Sequence, residues 1–439
     1  MSTAEIAYPR VPLRRFIREI ADGPFGSSLT SSHYASEGAR VIRLGNIGAA
    51  RFKEADAAYI SLEYFKELRQ HEVKSGDLII AGLGDTNNPV GRACVAPPGL
   101  GPAIVKADCF RARLDEGRIS HQYAAWALSS SFVSGQVQTL TRGSTRARIN
   151  LDVAREIQLP VPPVEEQRQI ADFLDIETAR IDQLRELRAR QYSLVEEADF
   201  SRTYNVVRGA HVPGRRKESG LKWLGSIPAD WRVGAVSHYF DVALGKMLNQ
   251  ERTRGKYLRP YLRVANVQWD HVDINDLALM NFPPGEQERY RLESGDLLVN
   301  EGGSWPGRAA IWNGEISEIY YQKALHRIRA IGSEIPRWLF YCLVTAERLR
   351  VFQVQGNTST MTHLTREQLE PQRFPFPPVD VQRQLVAQLD QAAGRAKEAR
   401  TLLNRQLALL AERRQALITA AVTGQFDVSS ASGRGVDAT

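Results

Sequence analysis

The 439-residue sequence lacks the patterns that mark several common protein classes. Its three cysteines, Cys94, Cys109 and Cys342, are too few and too scattered for a disulfide framework or a zinc site. No run of 18 apolar residues suggests a membrane span. The first ten residues lack the apolar core of a secretion signal. We therefore expect a soluble, cytoplasmic protein with no membrane partner.

Motifs of nucleotide-handling enzymes are also missing. Residues 82–87 begin like a dinucleotide-binding loop, but Asn87 stands where the third glycine belongs. The pair Gly245-Lys246 is followed by Met247, so it does not complete a phosphate-binding loop. The eight histidines are scattered without the spacing of metal ligands. We therefore predict no catalytic residue, no metal site and no cofactor bound by this chain.

One segment of the sequence occurs twice. Residues 159–175 (LPVPPVEEQRQIADFLD) return 215 positions later as residues 374–390 (FPFPPVDVQRQLVAQLD) without a gap. Shorter matches precede it in the same order at drifting offsets: 43–47 with 263–267, 75–79 with 294–298, 91–93 with 307–309 and, more loosely, 143–145 with 357–360. The period is far too long for a solenoid repeat. The chain therefore contains two similar modules in tandem.

The first part of each module is predicted to mix strands and helices. Short β-rich runs at 41–47, 77–82 and 103–114 lie between turns rich in glycine and proline. A helical stretch follows at 120–140 and is echoed at 336–354, where Pro336 suits a first helical turn.

The second part of each module is predicted to be one long helix. Residues 164–207 and 379–422 follow a double proline, contain no proline themselves and carry apolar residues at steps of three and four. Such a helix cannot bury its apolar stripe alone, so the two are expected to pack against each other. Two ordinary core helices are the alternative, which a length of about 40 residues disfavours. The predicted fold class is α+β, with two mixed α/β domains joined by two long helices.

These patterns divide the chain into six segments. In order they are a mixed domain at 1–160, a long helix at 161–208, a linker at 209–230 anchored by Trp223, a second mixed domain at 231–375, a second long helix at 376–423, and a Ser/Gly-rich tail at 424–439 that is expected to be disordered.

Positive charge points to a polyanionic partner. The net charge is +7, which by itself does not choose between DNA, RNA and a membrane surface. Residues 141–150 combine three arginines with small hydroxyl side chains, and arginine can hold phosphate or bind guanine in bidentate fashion. A solvated loop is the alternative. The corresponding residues 355–363 keep the hydroxyls without the arginines, as expected if two modules recognise different sequences.

A second basic run covers residues 246–263 and has one acidic residue, Glu251. A charge run is usually a solvated face, so this run is the weaker candidate. The predicted DNA-contacting residues, taken from both segments and from the repeated loops, are Ser27, Ser28, Asn46, Arg142, Ser144, Thr145, Arg146, Arg148, Lys246, Arg252, Arg254, Asn266, Thr358, Ser359 and Thr360.

The chain resembles the specificity subunit of type I restriction–modification systems over nearly its whole length. The most specific resemblance is the pair of Pro-Pro-Val-x-x-Gln-Arg-Gln segments at 162–169 and 377–384. Residues 223–231 (WLGSIPADW), 414–424 (RQALITAAVTG) and 22–28 (DGPFGSS) add to it.

The resemblance implies two target recognition domains and two long helices that pair antiparallel as a coiled coil, with pseudo-twofold symmetry. Each domain is expected to recognise one half of a bipartite target in double-stranded DNA, with the helices setting the spacer. Catalysis is expected in partners: two modification subunits that methylate adenine with S-adenosylmethionine, and restriction subunits that use ATP and Mg²⁺. Outer apolar positions on the helices are candidates for docking them: Phe173, Ile176, Tyr192 and Phe200. One departure is Val381, which replaces the acidic residue found at Glu166.

Two other functions stay open at this point. A structural coiled-coil adaptor with duplicated protein-binding domains is the main alternative. A fused methyltransferase–specificity enzyme is a weaker one, because the sequence lacks the methyltransferase loops.

Overall fold

The computed structural model describes residues 7–140, 147–249, 254–302, 305–354 and 363–428. The chain forms two compact units. Unit 1 comprises residues 1–189 and 404–439, and unit 2 comprises residues 190–403. Each unit therefore holds one mixed domain together with a part of both long helices, whereas the sequence patterns assigned those helices to segments of their own.

Unit 1 is built from short strands and four short helices. The strands are β1 (Arg10–Pro12), β2 (Ile17–Asp22), β3 (Tyr34–Ala35), β4 (Ala39–Ile42), β5 (Tyr59–Ile60), β6 (Glu72–Val73), β7 (Leu78–Ala81), β8 (Leu83–Gly84), β9 (Ala93–Val95), β10 (Ala103–Val105), β11 (Cys109–Leu114), β12 (Ala147–Arg148) and β13 (Gln158–Pro160). The helices are α1 (Leu62–Glu67), α2 (His121–Leu128), α3 (Ser131–Leu140) and α4 (Leu151–Glu156). The first long helix, α5 (Val164–Val207), begins in unit 1 directly after the double proline.

The strands of unit 1 form two main sheets. One is antiparallel in the order β2-β11-β7-β9, and the other has the order β3-β5-β4-β10-β6 with β4 and β10 parallel. All four residues of β7 are buried, as expected for a central strand covered on both faces. Helix α2 packs on the first sheet with Tyr123 and Trp126 buried in the core.

Unit 2 repeats this arrangement of short strands and helices. Its strands are β14 (Arg216–Glu218), β15 (Ser226–Pro228), β16 (Arg232–Ala235), β17 (Phe240–Leu244), β18 (Leu258–Leu262), β19 (Val267–Gln268), β20 (His271–Val272), β21 (Ala278–Asn281), β22 (Leu297–Asn300), β23 (Ala309–Ile311), β24 (Tyr320–Tyr321), β25 (Leu325–Ala330) and β26 (Arg373–Phe376). Its helices are α6 (Pro284–Tyr290), α7 (Pro336–Arg348), α8 (Val351–Val354), α9 (Arg366–Leu369) and the start of the second long helix, α10 (Val379–Thr423).

The sheets of unit 2 have the same order as their counterparts. The antiparallel sheet β17-β25-β22-β23 matches β2-β11-β7-β9, and the parallel pair β18–β24 matches β4–β10. The short ladder between β16 and β26 likewise matches the ladder between β1 and β13. The predicted tandem repeat is confirmed at the level of strand topology.

The repeated segment fastens each mixed domain to its long helix. Gln167 is fully buried, accepts the backbone N–H of Ser120 (2.9 Å) and donates to the carbonyl of Pro162 (2.9 Å). Gln382 is equally buried, accepts the N–H of Ile335 (3.2 Å) and donates to the carbonyl of Pro377 (2.8 Å). A buried amide with every bond made fixes one geometry, so both joints are rigid.

An aspartate eight residues, or about two helical turns, further along each long helix makes a second contact with the mixed domain. Asp175 accepts hydrogen bonds from Gln122 Nε2 and Trp126 Nε1, both at 2.9 Å. Asp390 accepts from Arg337 Nε (2.8 Å) and Tyr341 Oη (2.6 Å). The accepting aspartate is thus the same in both units, whereas the donor side chains differ.

The long helices are confirmed, with lengths of 44 and 45 residues, and they run antiparallel inside each unit. In unit 1 the Asp182 carboxylate pairs with Arg414 (3.1 Å), while Phe173, earlier on α5, contacts Phe426, later in the chain. In unit 2 Asp199 pairs with Arg400 (3.4 Å), and Val206 and Val207 share a core with Val386 and Leu389.

The predicted apolar stripe of α5 is only partly buried. Ile170, Leu174 and Ile181 are buried, but Leu184, Leu187 and Leu194 are about half exposed. The α10 positions Ala392, Ala396 and Leu403 are buried. The expectation that the whole stripe lies inside is wrong for those three leucines.

Two segments predicted to be irregular have definite structure. Residues 216–228 form a hairpin of β14 and β15, in which the Arg216 guanidinium donates to the carbonyls of Arg208 and Gly209 at the end of α5. The beginning of the tail also packs, because Phe426 contacts Phe173 edge to face (5.6 Å) and Val428 is buried. Residues 429–439 lie outside the described part of the chain.

No helix within the described residues combines the length and apolarity needed to cross a membrane.

Candidate nucleic-acid interface

Three loops of unit 1 meet at one edge of its antiparallel sheet. They are residues 23–28 after β2, residues 82–91 between β7 and β9, and residues 147–150, and we call them the three-loop face of unit 1. The N–H of Gly82 donates to the carbonyl of Asp108 (2.7 Å), and the N–H of Ile149 donates to the carbonyl of Gly82 (2.8 Å). Backbone hydrogen bonds thus hold the loops together whatever side chains they carry.

The same loops meet in unit 2. Their described parts are residues 245–249, 301–302, 305–307 and 363–364, which form the three-loop face of unit 2. The N–H of Glu301 donates to the carbonyl of Ala324 (3.0 Å), and the N–H of Leu364 donates to the carbonyl of Glu301 (2.6 Å). These bonds are the counterparts of the two in unit 1.

A glycine in each unit allows the first loop to approach its neighbour. A Cβ on Gly23 would lie 2.1 Å from the carbonyl carbon of Lys106, and a Cβ on Gly245 would lie 2.3 Å from the carbonyl oxygen of Gln322. No side chain fits at such distances, so both loops require glycine there.

The side chains of the unit 1 face are mostly polar. Arg148 is more than half exposed, donates from Nε to Asp108 (2.8 Å) and lies over the ring of Phe25 (5.9 Å). These three residues line a cavity of about 360 Å³ together with Asn150. Asp85 accepts the backbone N–H groups of Asn87 and Asn88, which hold the pKa of Asp85 below its usual range.

The unit 2 face presents large apolar side chains instead. Trp305 is 57% exposed, and Met247 and Leu248 are also exposed. The Arg308 guanidinium lies over the Trp305 ring at 5.0 Å from its centroid. The two units thus share a backbone frame and differ in the chemistry that they display.

A basic pocket of about 540 Å³ also lies within unit 1. Its lining includes Lys53 and the side chains around one carboxylate, Asp182, which has Arg414 at 3.1 Å, Arg185 at 3.5 Å and Arg51 at 4.0 Å. Three cations around one anion leave a net positive surface, which suits phosphate groups.

Of the predicted contact residues, Ser27, Ser28 and Arg148 lie exposed on the unit 1 face, and Arg254 is exposed in unit 2. The others on described residues are buried. Asn46 accepts the N–H of Arg43 (2.9 Å) and donates to the carbonyls of Lys53 (3.0 Å) and Ala55 (2.8 Å).

Asn266 makes the same three bonds in unit 2, to Arg263, Asp273 and Asp276. Lys246 donates to the carbonyl of Asn281 (2.5 Å) and pairs with Glu286. Because these polar groups are buried and engaged within the fold, Asn46, Asn266 and Lys246 shape the loops and are not exposed at the surface, contrary to the expectation. The remaining predicted residues lie outside the described part of the chain: Arg142, Ser144, Thr145, Arg146, Arg252, Thr358, Ser359 and Thr360.

Sequence reasoning did not predict Phe25, Asn87 or Trp305 as contact residues. The repeat could have identified the loops that carry Asn87 and Trp305, because residues 80–90 and 299–306 lie between segments that match in the two modules but themselves differ in sequence. Variation between fixed flanks is expected where two copies of a frame recognise different ligands.

The described residues offer little for metal binding or thiol chemistry. They contain no group of three or more His, Cys, Asp or Glu side chains placed to hold a metal ion. Burial raises the pKa of Cys94 and of Cys109 to about 12. Both thiols are therefore protonated at neutral pH.

Comparison with known proteins identifies the class. The family model described as "Type I restriction modification DNA specificity domain" matches residues 73–190 and 228–402. The chain belongs to this family, with one match in each module. It is a DNA specificity subunit of the type I restriction–modification class.

Among individual proteins, the chain is similar to the EcoKI specificity subunit of Escherichia coli K12. The two are 24% identical over 396 residues, which cover 88% of this chain and 82% of that protein. In fold it resembles a chain from a type I restriction–modification system studied for complex assembly and conformational transition (TM-score 0.72, 18% identity, 95% of this chain and 98% of the other). It also resembles the HsdS subunit of Thermoanaerobacter tengcongensis (TM-score 0.54, 18% identity, 97% and 99%).

Proposed function

We propose that each unit recognises one half of a bipartite DNA target through its three-loop face, and that the chain directs partner subunits to that target. The main support is that the two units hold their three loops by equivalent backbone hydrogen bonds but display different side chains on them. Two copies of one frame suit a ligand with two separated sites, and different side chains suit different base sequences. No observation supports the alternative, a coiled-coil adaptor that binds only proteins.

Hydrogen-bonding side chains on the unit 1 face supply the means to recognise base edges. Asn87 and Thr86 are exposed at the tip of their loop, and Asp85 fixes the backbone beneath them. Asparagine binds adenine in bidentate fashion, and a hydroxyl accepts or donates. Arg148 is held by Asp108, so its remaining N–H groups have a fixed direction toward guanine or phosphate.

The long helices offer docking surfaces for partner subunits. In unit 1, Ile176 and Leu187 are exposed three turns apart on the same side of α5, and Leu409 is exposed on α10. In unit 2, Leu194 and Leu402 are exposed. Of the outer positions predicted from sequence, Phe173 and Phe200 already have partners within the fold, Phe426 and Tyr204, so Ile176 is the better candidate.

We infer that the chemistry resides in those partners. Two modification subunits would methylate adenine with S-adenosylmethionine, and restriction subunits would use ATP and Mg²⁺, all in the cytoplasm. Titration calorimetry on the isolated chain should then give no heat of binding with S-adenosylmethionine. Measurable binding would contradict this division of labour.

The direct test maps methylated adenines at single-base resolution in cells that express the chain with its modification subunits. One bipartite motif is expected. The double substitution Thr86→Ala, Asn87→Ala should alter the bases preferred in one half and leave the other half unchanged. Glu67→Ala, on the exposed side of α1, is the matched control and should leave the whole motif unchanged. Methylation without a common sequence would refute the proposal.

A further inference from the structure

Trp305 is largely exposed, although tryptophan is on average a highly buried residue. It lies in the loop between β22 and β23, and 57% of its surface is open to solvent. The loop ends are fixed, because the N–H of Gly307 donates to the carbonyl of Asn300 (2.9 Å) and the N–H of Arg308 donates to the carbonyl of Trp305 (3.3 Å). Exposed indole rings at fixed positions are common in binding surfaces, since they bring a large rigid contact area.

Arg308 supports the indole from one side. Its guanidinium lies over the ring at 5.0 Å, and its Nη1 donates to Oε1 of Gln268. A guanidinium that is tied to a neighbouring side chain holds the ring in one orientation. The other face of the indole is therefore the one available to a ligand.

The place of Trp305 in the repeat assigns the ligand. Its loop is the counterpart of residues 82–91, where unit 1 displays Thr86 and Asn87. The N–H of Leu364 donates to the carbonyl of Glu301, which keeps this loop within the three-loop face of unit 2. Tryptophan has a single N–H donor and cannot match the hydrogen-bonding pattern of a base pair. It contributes contact area, and bases offer π faces when a duplex step is opened.

We propose that Trp305 stacks on a base of the second half-site, at a step that unit 2 opens, with Arg308 positioning the indole and directing positive charge to the neighbouring phosphate. This inference rests on the proposed function. Pyrimidine–purine steps unstack most easily, so the half-site of unit 2 is expected to contain one. Unit 1 would recognise its half of the target mainly by hydrogen bonds to base edges. Unit 2 would recognise its half partly through the ease with which that DNA sequence unstacks.

The test uses the full chain in complex with its modification subunits. Binding is measured by fluorescence anisotropy on the mapped target and on a duplex in which only the second half-site is scrambled. Because stacking on an aromatic ring is worth about 1–3 kcal/mol per base, Trp305→Ala should weaken target binding roughly tenfold or more. It should leave binding to the scrambled duplex within about twofold. Trp305→Phe should recover part of the loss.

A second readout reports stacking itself. 2-Aminopurine placed at successive positions of the second half-site should change its fluorescence on binding at one step, and Trp305→Ala should abolish that change. Glu67→Ala, on the exposed side of α1 and outside both three-loop faces, is the control and should leave the fluorescence change intact.

The outcomes separate the two proposals. If the unaltered complex discriminates target from scrambled DNA while Trp305→Ala changes neither affinity nor fluorescence, stacking is refuted and the proposed function stands. If Trp305→Ala instead prevents assembly with the modification subunits in gel filtration, the residue contacts protein and the inference is again overturned. If the unaltered complex does not discriminate, the proposed function itself fails.

Discussion

Asp175 and Asp390 occupy equivalent positions in the repeat but have different electrostatic environments. Asp175 receives only neutral donors, Gln122 and Trp126, and burial raises the pKa of its carboxyl. Asp390 faces the Arg337 guanidinium, which also pairs with Asp270. The first joint therefore holds a buried carboxyl whose hydrogen-bond donors are both neutral, and the second joint contains an ion-pair network.

Substitution of each aspartate by asparagine should change the stability of the protein differently. Asp175→Asn keeps an acceptor for both hydrogen bonds and removes the desolvated charge, so the variant should be at least as stable as the parent at pH 7. Asp390→Asn loses a charge-assisted bond and should cost about 1 kcal/mol, with Asp270 still holding Arg337. Urea unfolding of the full chain measures both changes. A larger loss for Asp175→Asn than for Asp390→Asn would contradict this assignment.

The pH dependence follows from the direction of the Asp175 shift. Because the folded pKa lies above the ordinary value, the protonated carboxyl favours the folded state, and this contribution is complete below the ordinary pKa. It is lost as pH rises through the folded pKa. The parent should therefore lose stability relative to Asp175→Asn as pH rises through the window just above the ordinary carboxyl range. Thermal unfolding between pH 3.5 and 7 measures the difference, and a constant difference would be inconsistent with it.

At the scale of elements, the long helices combine a structural role with an exposed surface. α5 has 44 residues, about 66 Å of helix, and its middle carries the exposed leucines Leu184, Leu187 and Leu194. A continuous helix transmits any change in length or rotation along its axis. Its exposed leucines are accessible to partners.

Insertion of four residues after Glu177 tests the spacer role of α5. The insertion adds about 6 Å and roughly 40° of net rotation. Since a base pair rises about 3.4 Å, we expect a target spacer longer by about two base pairs, or loss of methylation. A four-residue insertion after Gly220, an open turn of the β14–β15 hairpin, should leave the spacer unchanged. An unaltered target after the helix insertion would refute the role.

Leu187 tests the docking surface. Leu187→Lys should strongly reduce co-purification with the modification subunits, because a charge placed in an apolar contact must be desolvated. Ala189→Lys makes the same charge change about 200° around the helix and should leave assembly intact. Unfolding temperatures of both variants should stay close to that of the parent, since both sites are exposed. Equal effects on assembly would count against a specific docking face.

At the scale of the whole molecule, the sequence predicted the shared frame better than the surface. Gln167 and Asp175, with the prolines before them, make hydrogen bonds whose geometry both modules need. Their spacing is therefore the same in both modules and could be recognised in the sequence. The β-rich run at 103–114 forms two strands, which are separated by a turn in which Asp108 adopts a left-handed conformation (φ 62°). The helical stretch at 120–140 likewise divides at Ser129 and Ser130.

The burial of Asn46, Asn266 and Lys246 was not predicted, for a physical reason. Polar side chains in turns face solvent unless backbone groups elsewhere need their hydrogen bonds, and those backbone positions are known only once the fold is assembled. Trp305 was missed for the converse reason, since a tryptophan is more often expected to be buried.

The positive charge of the chain should appear in the salt dependence of DNA binding. Each phosphate contact contributes about −0.9 to the slope of log affinity against log salt. We expect a steep negative slope for the complex, and Arg51→Ala, in the basic pocket of unit 1, should reduce its magnitude by about one on target and unrelated DNA alike. Arg155→Ala, on α4 and paired with Asp152, is the control. Binding that does not depend on salt would favour the adaptor function that the structure leaves without support.

The backbone bonds that hold each three-loop face have a combinatorial consequence. Gly82, Asp108 and Ile149, like Glu301, Ala324 and Leu364, are joined through main-chain atoms, so exposed side chains can change without dismantling the frame. Each face can therefore change alone, and under the proposed function a new face in either unit changes the sequence recognised in one half of the target. The number of target sequences that such chains can specify is the product of the numbers of variants of the two faces. A change in a single loop is then enough to give a new target specificity.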